Sequence, residues 1–442
     1  MNSTADVAVV GAGVIGASIA LELARAGRDV LVLDKAGGAG HGSTSASSAI
    51  IRFTYSTFDA VALSWEAKFC WQAWAEHLGV RDPSGTAAFH RTGMLTLDVE
   101  LMPRARMLDL FDRVGVPYEQ FDAEQLVRRF PHLDNGRYWP NKPVSDDAFW
   151  ADATGTLGGV FTPDAGFVDD PGLAAQNLAA AAAAHGARFA FHTAVSAVHQ
   201  KPAGGWRLEL ADGSSVDCAA VVNAAGPWSG ALNRLAGVGA EFTVGVRPLR
   251  QEVHEVRAPA GYGDSYSHDD GVGGTGPAFA DLDLGTYVRP SVHGTLFVGG
   301  TEPECDPLEW LDDPDDCDPR VTAERHEAQV SRAARRLPGL GVPNRRTGIA
   351  GVYDASDDWM PIYDRTDAPG WYVAMGTSGN QFKNAPVVGR LMATLIEQVE
   401  SGHDHDAAPV RCTMAHTGAV VDLGTFSRMR KRNEASSGTV MG

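Results

Sequence analysis

Residues Val7-Ala8-Val9-Val10-Gly11-Ala12-Gly13-Val14-Ile15-Gly16 join an apolar run to three glycines in G-x-G-x-x-G spacing. The run Val7 to Val10 reads as a short buried strand. A helical pattern follows through Ile15, Ile19, Leu21 and Leu23, and Gly27 closes it. A second apolar run, Val30 to Leu33, ends in Asp34. Strand, glycine turn, helix, strand and acid is the order that a dinucleotide-binding unit requires. Gly11 permits the tight turn. A side chain at Gly13 would block a pyrophosphate, and Gly16 lets helix and strand touch. The helix N-terminus, at Val14 and Ile15, offers free N–H groups to phosphate oxygens. Asp34 stands 18 residues after Gly16, where an acid can hold a ribose hydroxyl.

The chain of 442 residues is 44% hydrophobic, enough for one large domain or two intertwined ones with a real core. A net charge of -18 argues against nucleic acid or an anionic membrane surface as partner. The five cysteines (Cys70, Cys218, Cys305, Cys317 and Cys412) show neither a C-x-x-C pair nor metal spacing. Reduced thiols of a cytoplasmic protein are the simple reading. No signal peptide and no membrane-spanning run is visible.

Outward from the glycine unit, the loop Gly37 to Ser48 carries Ser43, Thr44, Ser45, Ser47 and Ser48 among small residues. Such a loop can lie against a cofactor, with Lys35 just before it. Val61 to Leu78 reads as one helix with an aromatic stripe that serves core packing. Strand Met94 to Leu97 and a helix from Pro103 to Val114 belong to a second region with long loops. Asp170 and Pro171 open a helix that Gly186 stops. Strands Arg188 to Phe191 and Trp206 to Leu210 follow, with a hairpin turn at Asp212-Gly213. The next strand ends in Asn223-Ala224-Ala225-Gly226-Pro227-Trp228-Ser229, small residues that bring backbone close to a ligand. Strand-like alternation returns between Gly239 and Gly341. The acidic stretch Glu302 to Asp318 has no metal-ligand pattern and reads as a solvated loop. Trp371 to Met375 is a buried strand that runs into Gly376-Thr377-Ser378-Gly379-Asn380-Gln381-Phe382-Lys383 and a helix to Glu400. Beyond Gly402 the tail reads as polar and irregular, with Arg428 to Arg432 as a solvated cluster.

Three patches, Gly11 to Asp34, Val221 to Ser229 and Gly376 to Lys383, resemble the FAD-binding elements of the D-amino-acid oxidase superfamily. Ser43-Thr44 through Ile50-Ile51-Arg52, together with Ser378 to Lys383, is similar to its sarcosine oxidase and dimethylglycine dehydrogenase branch. The resemblance implies an α/β fold. An FAD-binding Rossmann-like domain of the glutathione-reductase type is assembled from residues 1–60, 160–235 and 345–400. An interleaved α+β substrate domain, built on a mostly antiparallel sheet, takes 61–159 and 236–344, and 401–442 form a tail. It further implies cofactor contacts at Val195, Ala225 and Gly226. The turn Gly379, Asn380, Gln381 to Lys383 would lie over the flavin pyrimidine ring. Arg52 and Lys383 correspond to the pair that holds a substrate carboxylate, and Tyr287 to a tyrosine of the substrate cavity.

The implied reaction is oxidation of the C–N bond of an amino acid or N-alkyl amino acid by hydride transfer to flavin N5, with hydrolysis of the imine. Oxygen or an electron-transfer protein would take the electrons. The alternatives are D-amino-acid or glycine oxidase-type deamination, a nicotinamide-dependent dehydrogenase, and a redox-silent FAD-binding subunit. The nicotinamide reading would need a second nucleotide-binding unit beside this one. Three positions depart from monomeric sarcosine oxidases. Gly351 replaces the cysteine that bonds flavin, so non-covalent FAD is expected. Phe297 replaces a lysine that promotes reaction with oxygen, so oxygen is expected to be a slow acceptor. Ala49 replaces the first arginine of an Arg-Ile-Ile-Arg patch.

Overall fold

A computed structural model describes residues 2–263 and 276–442. The part of the alternating stretch between 264 and 275 lies outside the described residues. The strand Asn2–Val10 runs into the helix Val14–Arg25 and then the strand Val30–Leu33, as the glycine unit predicts. These strands sit in a parallel sheet ordered Arg188–Ala190, Val30–Leu33, Asn2–Val10, Ser215–Asn223, Trp371–Met375. Antiparallel strands extend it. The hairpin Trp206–Leu210 pairs with the first half of Ser215–Asn223, and Ile362–Arg365 pairs with Trp371–Met375. Val30–Leu33 and Trp371–Met375 are buried throughout, because both of their faces are covered.

The first helix packs between the helices Pro171–Ala184 and Ala385–Glu400. The approach is close because its neighbours are small. Eight of the residues in Pro171–Ala184 are alanine. A Cβ on Gly389 would stand 2.3 Å from the Ser18 carbonyl oxygen. The Asp170 carboxylate caps Leu173 N–H at 2.8 Å, and proline fills the first turn.

The second sheet is mostly antiparallel. Its order is Glu309–Trp310, Val246–Arg257, Thr295–Gly300, Thr286–Pro290, Ala278–Asp281, Met94–Leu97, Gly159–Thr162, Glu119–Phe121. Gly348–Ser356 also pairs along Val246–Arg257, although it falls within the 345–400 range expected for the first sheet. The helix Ala323–Arg336 covers this sheet. Its buried Arg336 is 2.7 Å from Asp281 and 2.9 Å from Asp283.

Two local expectations change. The predicted helix from Val61 to Leu78 is two helices, Phe58–Gln72 and Trp74–Leu78, broken at Ala73. The indoles on either side of the break are tied to different elements, Trp71 Nε1 to the Lys383 carbonyl at 2.7 Å and Trp74 Nε1 to Asn177 at 3.3 Å. The tail is not solvated at Arg428, which is 1% exposed. Its guanidinium pairs with Asp364, Asp406 and Glu241, a cluster of charge that no local pattern announces.

Candidate active site

A cavity of about 800 Å³ opens at the C-terminal ends of the parallel strands and runs beneath the second sheet. This is where open α/β sheets bind ligands, since strand ends and helix N-termini leave backbone groups unpaired. Its nucleotide end is made largely of backbone. Gly11 has φ 107°, and a Cβ there would lie 2.3 Å from the Ala224 carbonyl oxygen. A Cβ on Gly16 would lie 1.9 Å from the Gly11 carbonyl oxygen, so Gly16 is a packing residue and does not line the cavity. Gly13 does line it; a Cβ there meets only the Thr44 hydroxyl, at 3.2 Å. The Asp34 carboxylate accepts from Ala12 N–H at 2.6 Å and Ala36 N–H at 2.7 Å, which fixes the turn on both sides of the strand end.

The serine loop lies along the cavity. The Thr44 hydroxyl accepts from Val14 N–H at 3.1 Å, and Ser43 donates to the Val352 carbonyl at 2.6 Å. Ser45 departs from expectation: its hydroxyl turns back to the Gly42 carbonyl, and the residue does not line the cavity. Lys35, Val195, Ala225 and Gly226 all line it. Lys35 Nζ reaches Asp315 at 2.6 Å and stands 4.1 Å above the Trp228 ring, and Trp228 Nε1 donates to the same carboxylate at 3.1 Å. The acidic stretch therefore does more than meet solvent. Asp313 and Asp315 line the cavity, with Asp315 latched across its nucleotide end.

The other end is made of side chains. Arg52 and Lys383 both line the cavity and are 5% and 3% exposed. Tyr55 lies between them, its ring 5.0 Å from the Arg52 guanidinium and 4.9 Å from Lys383 Nζ. Lys383 Nζ donates to the Tyr55 hydroxyl at 2.9 Å, and Tyr55 donates to the Asn380 carbonyl at 2.6 Å. Arg52 Nη1 donates to the Thr54 carbonyl and Nη2 to the Val440 carbonyl. Among the described residues no carboxylate lies within ion-pair distance of either cation. Burial and the neighbouring Arg52 hold the Lys383 amine well below the usual lysine range. Burial pushes the Tyr55 hydroxyl up to about 12 and the Glu302 carboxyl up to about 8. Glu302 accepts from Gln251 Nε2 at 3.1 Å and from Val440 N–H at 2.7 Å. Tyr287 shares a 2.7 Å hydrogen bond with Ser48, and its ring lies flat where a Cβ on Gly299 would be.

The chain matches the family model described as "FAD dependent oxidoreductase" over residues 6–395. It belongs to the family of FAD-dependent oxidoreductases. It is 26% identical to the glycine oxidase of Geobacillus kaustophilus (strain HTA426), across 95% of this chain and 99% of that protein. It is 28% identical to the Bos taurus FAD-dependent oxidoreductase domain-containing protein 1, across 90% of this chain and 82% of that one. The solved L-proline dehydrogenase from P. horikoshii superposes with a TM-score of 0.73 over 97% of this chain at 20% identity, a likeness of fold.

This FAD-dependent oxidoreductase has the cradle its cofactor needs. Gly11 and Gly16 are closed by backbone, which leaves Gly13 as the open face of the turn. Gly379, at φ 68°, lies against the Tyr353 ring and lines the cavity with Asn380 and Gln381. Asp354 also lines it; burial raises its carboxyl, and its Oδ2 has no partner in the protein. Such an orphaned buried oxygen fits a bound polar group. Phe297 does not line the cavity. It lies 4.8 Å from the Arg289 guanidinium, which donates to the Val168 carbonyl and also stays outside the cavity.

Sequence reasoning missed Tyr55, Gln251, Glu302, Tyr353, Val440 and Met441. Tyr55 stands three residues after Arg52 and was within reach of a local reading. Glu302 reads in sequence only as the start of a solvated acidic loop, and the others come from distant strands or the tail.

Proposed function

We propose that the enzyme oxidises the C–N bond of a small amino acid or N-alkyl amino acid whose carboxylate is held between Arg52 and Lys383. The observation that carries this is two buried basic side chains in one cavity, with no carboxylate among the described residues within ion-pair distance. An isolated buried cation is costly. Lys383 meets that cost by favouring its neutral form, and an anionic ligand would restore the charged one. Arg52 has five N–H donors, and the carbonyls of Thr54 and Val440 leave at least one on each terminal nitrogen. A carboxylate here gains charge-assisted bonds, and its α-carbon is held in a fixed orientation.

Bound FAD supplies the oxidising chemistry. The chain supplies binding, orientation and exclusion of water. Tyr55 positions Lys383, Trp71 fixes the Lys383 backbone, and Tyr287 and Tyr353 add aromatic walls. None of the five cysteines lines the cavity, and Gly351 faces Ala46 there, which supports FAD held without a bond to cysteine sulfur. Oxygen or an electron-transfer protein is the acceptor. The similarity to glycine oxidase supports a second reading within the same chemistry, deamination of a primary amino acid such as glycine.

Anaerobic bleaching of the flavin by a panel of amino acids, N-methyl amino acids and matching amines without a carboxylate tests this. Bleaching confined to carboxylate-bearing members is expected. Equal bleaching by the matching amines would overturn the carboxylate assignment. Reoxidation of the reduced enzyme in air, compared with a dye, identifies the acceptor class.

A further inference from the structure

The segment Asn433 to Gly442 reaches the substrate end of the cavity from outside both sheets. It is anchored where it starts. Arg430 grips Asp358 at 2.7 and 2.9 Å, and Asn433 Nδ2 donates to Ser56 at 2.7 Å. A turn closes its far end, where Gly442 N–H donates to the Thr439 carbonyl at 3.0 Å. Between these points the main chain of Val440 is held on both sides by ionisable side chains. Its N–H donates to Glu302 at 2.7 Å, and its carbonyl accepts from Arg52 at 2.5 Å. Gly442 packs against the Tyr55 ring; a Cβ there would lie 2.6 Å from Tyr55 Cδ1.

We infer that Val440 and Met441 form the wall that sets which substituent the substrate carries. This rests on the carboxylate reading above. Pinning by the main chain leaves the two side chains as the groups the segment offers, and both line the cavity, 8% and 2% exposed. The acids that line the cavity lie elsewhere or are engaged. Asp34 holds backbone at the nucleotide turn, Asp313 accepts from Asp315 N–H, Asp315 holds Lys35, and Asp354 takes the Thr377 hydroxyl on one of its two oxygens. Among the described residues no carboxylate lies within ion-pair distance of Arg52 or Lys383 to meet a second cationic group on the substrate. A second carboxylate would have to lie against Val440, Met441 and the rings of Tyr287 and Tyr353. The substrate class is therefore a monocarboxylic amino acid or N-alkyl amino acid with a small, uncharged, apolar substituent.

The test is titration of the holoenzyme's flavin spectrum with acetate and with benzoate, two carboxylates that differ in apolar bulk. Met441→Ala should raise the preference for benzoate over acetate at least tenfold relative to wild type. Met441→Trp should lower benzoate binding at least tenfold and leave acetate within twofold. Turnover of N-methylglycine and N-benzylglycine should shift in the same sense, in KM more than in kcat. Ratios within twofold of wild type in both variants, at unchanged FAD content, would overturn the wall while leaving the carboxylate site intact. A wild-type enzyme whose spectrum responds to neither carboxylate overturns the carboxylate reading and the wall with it.

Discussion

The two ends of one cavity are built in opposite ways. The nucleotide end uses backbone: Gly11, Gly13 and Gly16 shape it, and Asp34 and Thr44 brace it through main-chain N–H groups. The substrate end draws on four separated places: Arg52 with Tyr55, Glu302, Lys383, and Val440 with Met441. A backbone cradle tolerates few residue types, because a Cβ either fits or collides. A side-chain cluster depends on which groups the fold brings together and on how burial alters them. The difference predicts that damage at the first end is steric and complete, and damage at the second graded and dependent on pH.

The sharpest way to break this contrast is Gly13→Leu. The new side chain would enter the cavity, since only the Thr44 hydroxyl stands near its Cβ. The purified protein should carry almost no flavin by absorbance, yet melt close to the wild-type apoprotein. Retention of a full complement of FAD would show that the turn does not face the cofactor.

At the substrate end, Arg52→Met or Lys383→Met should weaken capture of a carboxylate substrate by ~1.5–3 kcal/mol, read as kcat/KM, because a charged hydrogen bond is lost. FAD content should stay near that of wild type in Arg52→Met. An unchanged kcat/KM in both variants would remove the pair from substrate binding.

A graded effect separates the ends by pH. The Glu302 carboxyl is raised from 4.5 to about 8, chiefly by burial, with Arg325 and Arg52 opposing. Between those values the folded chain keeps a proton that the unfolded chain releases. Stability should therefore fall as pH rises through that window, by at most ~1.4 kcal/mol per unit. Glu302→Gln should flatten this slope in denaturant titrations at pH 5 to 8. A slope that survives the substitution assigns it to another group. Ionised Glu302 would also compete for Arg52, so acetate should bind more weakly above pH 8.

The smallest effect belongs to the latch between Lys35 and Asp315. Both side chains are more than a third exposed, at 39% and 59%, so the pair is worth only ~0.2–1 kcal/mol. Asp315→Asn should speed FAD release into dilute buffer by no more than about fivefold. A far larger rate would mean that the acidic stretch carries part of the nucleotide end by itself.

The sequence alone determined the elements whose information is local. A buried strand, a glycine turn and an apolar helix follow one another within Val7 to Gly27, and steric limits on each position leave one arrangement. The same holds for the Asp170 cap, the Asp212-Gly213 hairpin and the strand Trp371–Met375 with its helix. Arg52, Lys383 and Tyr287 were found through resemblance, and the structure puts all three on the cavity. Tertiary structure alone decided what these groups face. Phe297 fell outside the cavity because its side chain meets Arg289 beside the strand pair. Ser45 turned away because its hydroxyl found the Gly42 carbonyl three residues back. The tail's role depends on contacts such as Val440 with Arg52, 388 residues apart in the chain. Contacts at that separation leave no period, cap or turn for a sequence to show, because they exist only once both sheets and the tail have closed around one cavity.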